Sequence, residues 1–432
     1  MRISSVTMYD QSTASINRQQ SDFLKVSQQI ASGRRVVNPS DDPQAASRAV
    51  GVDQSKAVTQ QYADARVSAR NSLSQTESIL NSVSDAVTSA KTLLIQASSD
   101  TLSDVDRESI ASELKGVYET MLGQANATDG NGRYLFGGYK DNAPPFVKSA
   151  DGSVQYQGDS NVREQRVDAS RLMPVNDNGE TIFKSVPSGA GYIAESVKTS
   201  AQGERLVGEG ARNDGTVTFT GPQISDVNAE GYGDNYRIVF TENTGADPKS
   251  EFIYQVQRFE DDEWQTDAGS LVAEGEYTGA GQQLSFGGIN ITLEGEPAKD
   301  DEILVAQAGG DVRGADLFRT MEEAIRVLDF PADDPTKKAD LRNTLNTAMR
   351  DLDNSLDNAL TVRASAGARL NELDVIDAVG SNRMLNYEQT LSDLVDLDYA
   401  EAISEYSLRQ VGMQAAQKAF VDIKGLSLFN YM

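Results

Sequence analysis

Residues 73–97 read LSQTESILNSVSDAVTSAKTLLIQA, and this stretch decides the fold. Leu73, Leu80, Val87 and Leu94 recur every seventh residue, and Thr76, Val83, Ala90 and Ala97 keep the same period three places on. Alternating steps of three and four hold one side of a helix apolar along its length, which is the pattern of a coiled-coil seam. The spacing predicts a very long helix over roughly residues 43–100. Asp42 supplies its N-cap and Pro43 its first helical position, where a missing N–H costs nothing.

Upstream, residues 38–43 (NPSDDP) form a turn, and Gly33 is a natural C′ residue for a preceding helix. That first helix carries Tyr9, Ile16, Phe23 and Ile30 at intervals of seven on an otherwise polar flank. Downstream, Ser103 and Asp106 make a capping box, opening a helix with Ile110, Leu114, Val117 and Met121 on one face.

The far end of the chain answers this pattern. Leu345, Leu352, Ala359, Ala366 and Leu373 form one heptad row. Leu341, Ala348, Val362 and Ile376 form its partner, interrupted by Ser355 and Arg369. Nearer the end, Tyr399, Tyr406, Met413 and Phe420 repeat by seven, flanked by Val395, Ala402, Ala416 and Ile423, with Arg409 the misfit. Residues 1–35 hold five basic and two acidic side chains, and residues 395–432 three basic and five acidic. Balances of +3 and −2 favour pairing of the two terminal helices. Such a pair alone buries little, so stripes of this kind at both ends of a chain point to self-assembly.

Between the helical zones the character changes. Glycine becomes frequent, turn signals recur at 151–152, 178–179, 214–215 and 244–245, and short β-type runs occupy 216–220, 236–241 and 252–259. That is an inserted β domain of hairpins. The fold class is therefore α+β multidomain: a long coiled-coil helical bundle built from the N- and C-terminal regions, with an inserted all-β domain. The expected domains are 1–42 with 395–432, 43–140 with 311–394, and 141–310.

Composition restricts the chemistry. The 432 residues contain neither Cys nor His. Thiolate and imidazole catalysis, disulfides, and the usual zinc and copper sites are thereby excluded, and the chain does not read as an enzyme. No cofactor or metal is expected. The net charge is −26 and the pI about 4.4, which disfavours nucleic acid and anionic lipid. Residues 140–302 alone hold 29 acids and 13 bases. The acidic runs 260–263 and 300–302 lack EF-hand spacing and read as solvated turns. Tyr232, Tyr236, Trp264 and Tyr277 have the chemistry to stack on sugars but fit hydrophobic core better. The chain begins MRISSVTMYD, without the apolar stretch of a secretory signal, and has no apolar run long enough to span a membrane.

Several segments resemble one family in order along the chain. The stretch 31–43 (ASGRRVVNPSDDP) resembles the end of the first flagellin helix and its loop, with Gly33, Arg35, Asp41 and Asp42 in register and Asn38 one place late. Residues 397–416 resemble the flagellin-type C-terminal helix. The segments 132–139 (GRYLFGGY), 144–146 (PPF), 362–374 (VRASAGARLNELD), the MRIS start and the LFNYM end resemble the hook–filament junction branch of the bacterial flagellin superfamily. Residues 275–297 resemble a module of several flagellins and hook-associated proteins.

The resemblance implies a structural flagellar role without catalysis. It implies export without a cleaved signal, an export chaperone beforehand, and terminal segments that order on assembly. It further implies a homo-oligomeric ring with hook-associated protein 1 and flagellin as neighbours, outside the cell at the hook–filament junction. Assembly contacts are then expected along Tyr9, Ile16, Phe23 and Ile30, and along Tyr399, Tyr406, Met413 and Phe420. The loop residues Arg35, Asn38, Asp41 and Asp42 either contact a neighbour or simply cap the two helices they join. The alternative within the superfamily is flagellin, the filament subunit itself.

Overall fold

The computed structural model describes residues 5–150, 152–206, 208–245 and 250–425. The MRIS start, the LFNYM end and position 151 of the 151–152 turn lie outside the described residues. Seven helices are described: α1 (Ser5–Ser32), α2 (Pro43–Ala97), α3 (Asp104–Ala125), α4 (Gly179–Phe183), α5 (Leu317–Asp329), α6 (Pro335–Val395) and α7 (Tyr399–Gly425). Strands β1 (Phe146–Lys148), β2 (Val154–Tyr156), β3 (Glu164–Asp168), β4 (Arg171–Pro174) and β5 (Tyr192–Glu195) precede the main β region. That region contains β6 (Thr218–Ile224), β7 (Tyr236–Glu242), β8 (Phe252–Glu260), β9 (Glu263–Trp264), β10 (Ala273–Tyr277), β11 (Gln282–Phe286), β12 (Ile289–Glu294) and β13 (Glu302–Gln307).

The chain divides into two compact units. The first comprises Met1–Val67, Val167–Arg171 and Asp374–Met432. In it α1 pairs with α7, and the N-terminal part of α2 runs beside the C-terminal part of α6. Lys56 and Glu388 pair across the latter at 2.9 Å, and Arg66 is buried in an ion pair with Asp377. Arg66 also donates to the Val167 carbonyl at 3.0 Å, and Arg383 to Asp168 at 3.1 Å. These bonds fix the tip of the β3–β4 hairpin on the helices.

The second unit comprises Ser68–Arg166 and Leu172–Leu373. Both predicted α2 rows are buried throughout, as are the α6 row Leu345–Leu373 and, in its partner row, Leu341, Ala348 and Val362. From Leu80 to Ala97 on α2, and with Leu341, Leu345, Ala348, Leu352 and Val362 of α6, they form one core with Ile110, Leu114 and Met121 of α3 and Leu317, Phe318 and Met321 of α5. The predicted capping box opens α3: Ser103 Oγ accepts from the Asp106 N–H, and the Asp106 carboxylate accepts from the Ser103 N–H at 3.1 Å. The same core takes in Phe136, Phe146 and Phe183, with Phe146 and Phe183 ring centroids 5.2 Å apart. The early part of the insertion thus belongs to the helical core.

The remaining β region has its own core. An antiparallel path β10-β8-β7-β13-β5 carries β9 on β8, beside a three-stranded sheet β11-β12-β6. Hairpins such as β7–β8 and β11–β12 join neighbours in sequence. The pairs β13–β5 and β12–β6 bring together residues more than 60 positions apart. Tyr236, Ile238 and Phe240 of β7 pack against Leu284, Phe286, Ile289 and Ile291. Asn343 of α6 anchors β6, accepting from the Phe219 N–H at 3.2 Å and donating to the Val217 carbonyl at 2.8 Å.

Three expectations are corrected or decided in this region. Asn178-Gly179 is not a hairpin turn. Asn178 caps α4, its side-chain oxygen accepting from the Thr181 N–H at 2.8 Å. Of the two acidic runs, 260–263 is a turn: Asp261 and Asp262 both have positive φ (53° and 61°) and join β8 to β9 through a Glu260–Glu263 pair. In the run 300–302 only Asp300 is a solvated turn residue, exposed with a φ of 63°. Asp301 is buried and accepts from the N–H groups of Asp214, Gly215 and Ala298 at 2.8–2.9 Å, while Glu302 is buried against Thr199 and Arg237. Tyr236, Trp264 and Tyr277 are buried and Tyr232 packs against the sheet core, so these rings are core and not a sugar platform.

Candidate assembly interface

The two terminal stripes meet each other. The Tyr9 and Phe420 ring centroids lie 5.3 Å apart, and those of Phe23 and Tyr406 4.8 Å apart. Residue numbers rise along α1 as they fall along α7, so the pair is antiparallel. Tyr399 closes the other end, its hydroxyl 3.0 Å from where a Cβ on Gly33 would stand. Gly33 has φ +69°, the left-handed conformation its helix-terminating role requires. Ile16, Ile30 and Met413 are half-buried. Arg409, the misfit in the heptad, reaches across to Asp22 at 3.0 Å and back to Glu405 at 3.1 Å.

This pair is thinly sealed. Among the described side chains of α1 and α7, only Val26 and Ala402 are buried, whereas α5 buries seven of its 13 residues. Aromatic pairs contribute about 0.5–1.5 kcal/mol each beyond their area, and a half-exposed ion pair adds little. Meanwhile Leu24, Ile403, Leu408, Val411 and Val421 stand outward, each more than half exposed. Heptad reading missed these five because they fall off the repeat. The available signal was that α7 carries apolar residues off its heptad row as well as on it.

The loop between α1 and α2 is a junction within the chain. The Arg35 N–H donates to the Val395 carbonyl at 2.7 Å, and its guanidinium to the Leu394 carbonyl at 2.6 Å and the Asp42 carboxylate at 3.3 Å. The Leu397 N–H returns a bond to the Gly33 carbonyl at 3.1 Å. The α1–α2 and α6–α7 turns are thereby laced together. Asp42 caps α2 by accepting from the Ala45 N–H at 3.0 Å. Asp41 accepts from the Asn38 and Val37 N–H groups at 2.9 and 3.2 Å and pairs with Lys25 at 3.0 Å. The Asn38 N–H and the Lys25 ammonium hold the Asp41 carboxyl below its ordinary value; the Ala45 N–H and Arg35 do the same for Asp42. Asn38 takes part through its backbone, donating to Asp41 and accepting from the Asp41 N–H. All four residues make bonds within the chain.

Among the described residues, no cluster of three or more acidic side chains could hold a metal, and no helix is long and apolar enough to cross a membrane. What the pair presents is an antiparallel helix contact with apolar residues on its outer side.

Residues 3–141 match the bacterial flagellin N-terminal helical region, which defines the class as flagellin-type. Over 99% of both chains, the sequence is 32% identical to flagellar hook-associated protein 3 of Escherichia coli K12 and 30% identical to that of Salmonella typhimurium. The crystal structure of Xanthomonas campestris FlgL superposes with a TM-score of 0.62 at 27% identity, covering 79% of this chain and 99% of that one. The chain belongs to the flagellar hook-associated protein 3 family.

Proposed function

We propose that this chain is a structural subunit of the bacterial flagellum that joins hook to filament. Copies form a ring, with hook-associated protein 1 on one side and flagellin on the other. The full-length relationship to hook-associated protein 3 carries this reading. The predicted rows Tyr9–Ile30 and Tyr399–Phe420 seal the helix pair within each subunit, and Leu24, Ile403, Leu408, Val411 and Val421 meet neighbouring subunits. Ordering of the ends is completed when neighbours supply the missing burial, so association and folding are coupled. The subunit leaves the cell without a cleaved signal, held beforehand by an export chaperone, and works outside the cell without catalysis.

A clean deletion tests this, read by electron microscopy of the cells and a flagellin assay of the medium. Bare hooks with flagellin released into the medium are the expected result, because export continues while filament nucleation fails. Bare hooks with no other filament protein released would identify this chain as the filament subunit instead.

A further inference from the structure

The second unit holds a cavity of about 220 Å³ where β5, the loop carrying Arg205 and Arg212, α5 and α6 converge. Its lining contains five arginines (205, 212, 313, 319 and 326) against four carboxylates (Glu195, Glu323, Asp340 and Asp351). Both oxygens of every carboxylate are engaged. Glu195 takes Arg205 at 2.6 Å and Arg313 at 3.1 Å. Asp351 is gripped by both terminal nitrogens of Arg313, and Asp340 by those of Arg326. Glu323 takes Arg205 at 3.4 Å and Arg326 at 2.8 Å.

The cations are not matched in the same way. Arg319 donates only to the Arg313 and Gly314 carbonyls, both at 3.1 Å, among the described residues. Arg212 is exposed at the cavity and pairs with no acid among them. Arg205 Nε is buried without an acceptor. Positive charge and donor capacity therefore exceed what the protein's own acids satisfy. Burial raises the Glu195 carboxyl, yet Arg205, Arg313 and Arg319 together pull it down to about 2, as a cationic surround should.

We propose that this cavity binds a small free oxyanion, of the carboxylate or phosphate type, between Arg212, Arg319 and Arg205. Guanidinium forks match such ions bidentately. The bound ion ties the sheet edge at β5 to α5 and α6, a site unrelated to the terminal helix pair.

Isothermal titration of the full chain with inorganic phosphate, and separately with acetate, at constant ionic strength tests it. Saturable one-to-one binding of at least one of them is expected, with a matching rise in the melting temperature of the second unit. R212Q, outside the buried network, should weaken binding about tenfold or more without altering the melting of the unliganded protein. R205K, which keeps the charge beside Glu195 but removes Nε, should weaken it as well. Absence of saturable binding by both ions, or binding unchanged in R212Q and R205K, overturns the proposal.

Discussion

The Phe23 ring lies 4.8 Å from that of Tyr406, inclined at 37°, in the middle of the α1–α7 pair. Asp22 beside it is already committed to Arg409. A carboxylate at position 23 would face the Tyr406 ring, and the nearby Arg409 already serves Asp22 and Glu405. F23D is therefore expected to separate α1 from α7 and abolish incorporation into flagella, while the melting transition of the second unit is unchanged. Calorimetry with electron microscopy of a complemented deletion strain checks both. Normal filaments, or loss of the main transition, would count against the assignment of this row.

The outward residues behave differently. Leu408 and Val411 are 71% and 62% exposed, so a charge there disturbs no contact inside the subunit. L408D and V411D should leave helix content and melting as they are and still block assembly. If either variant assembles as well as the parent chain, that side of α7 is not a subunit contact.

The inner rows are ordinary core. Leu80 is fully buried among α2, α3 and α6 side chains. L80A should destabilise the second unit by about 2–5 kcal/mol, the range for removing a buried leucine side chain. Denaturant titration followed by tryptophan fluorescence measures it, since Trp264 is the single tryptophan and lies in that unit. A change below about 1 kcal/mol would mean that the site collapses around the missing methyls.

What could be read from sequence follows the range of the interactions. Heptads are local, so the long helices and the pairing of the two terminal helices were legible, whereas the register that sets Phe23 on Tyr406 was not. The polar breaks in the rows were legible only as breaks. Arg369 reaches Asp177 at 2.6 Å and the Pro174 carbonyl at 3.2 Å, and Arg409 reaches Asp22, partners that no spacing rule supplies. Asp301 looked like surface charge because the three N–H groups it caps come from 214–215 and 298, which the β12–β6 pairing brings together. The outward face of α7 was hidden by the success of its heptad row, since one good stripe draws attention from apolar residues elsewhere on the helix.

Acid sensitivity supplies a last test, centred on Glu195. Its carboxyl titrates at about 2 in the folded protein against 4.5 as a free group, because Arg205, Arg313 and Arg319 outweigh the burial that opposes ionisation. A depressed folded value means that the unfolded chain binds the proton more readily. The stabilisation is therefore complete above about pH 5 and is lost as pH falls towards 2. Denaturant unfolding at stepped pH should show stability dropping steeply through this window. E195Q should be less stable at neutral pH, by about 3–5 kcal/mol, because removing one partner leaves buried guanidiniums uncompensated. The difference between the two proteins should shrink as the pH approaches 2, where the native carboxyl also becomes neutral. A difference that stays constant from neutral pH down to 2 would show that Glu195 acts through packing and not through its charge.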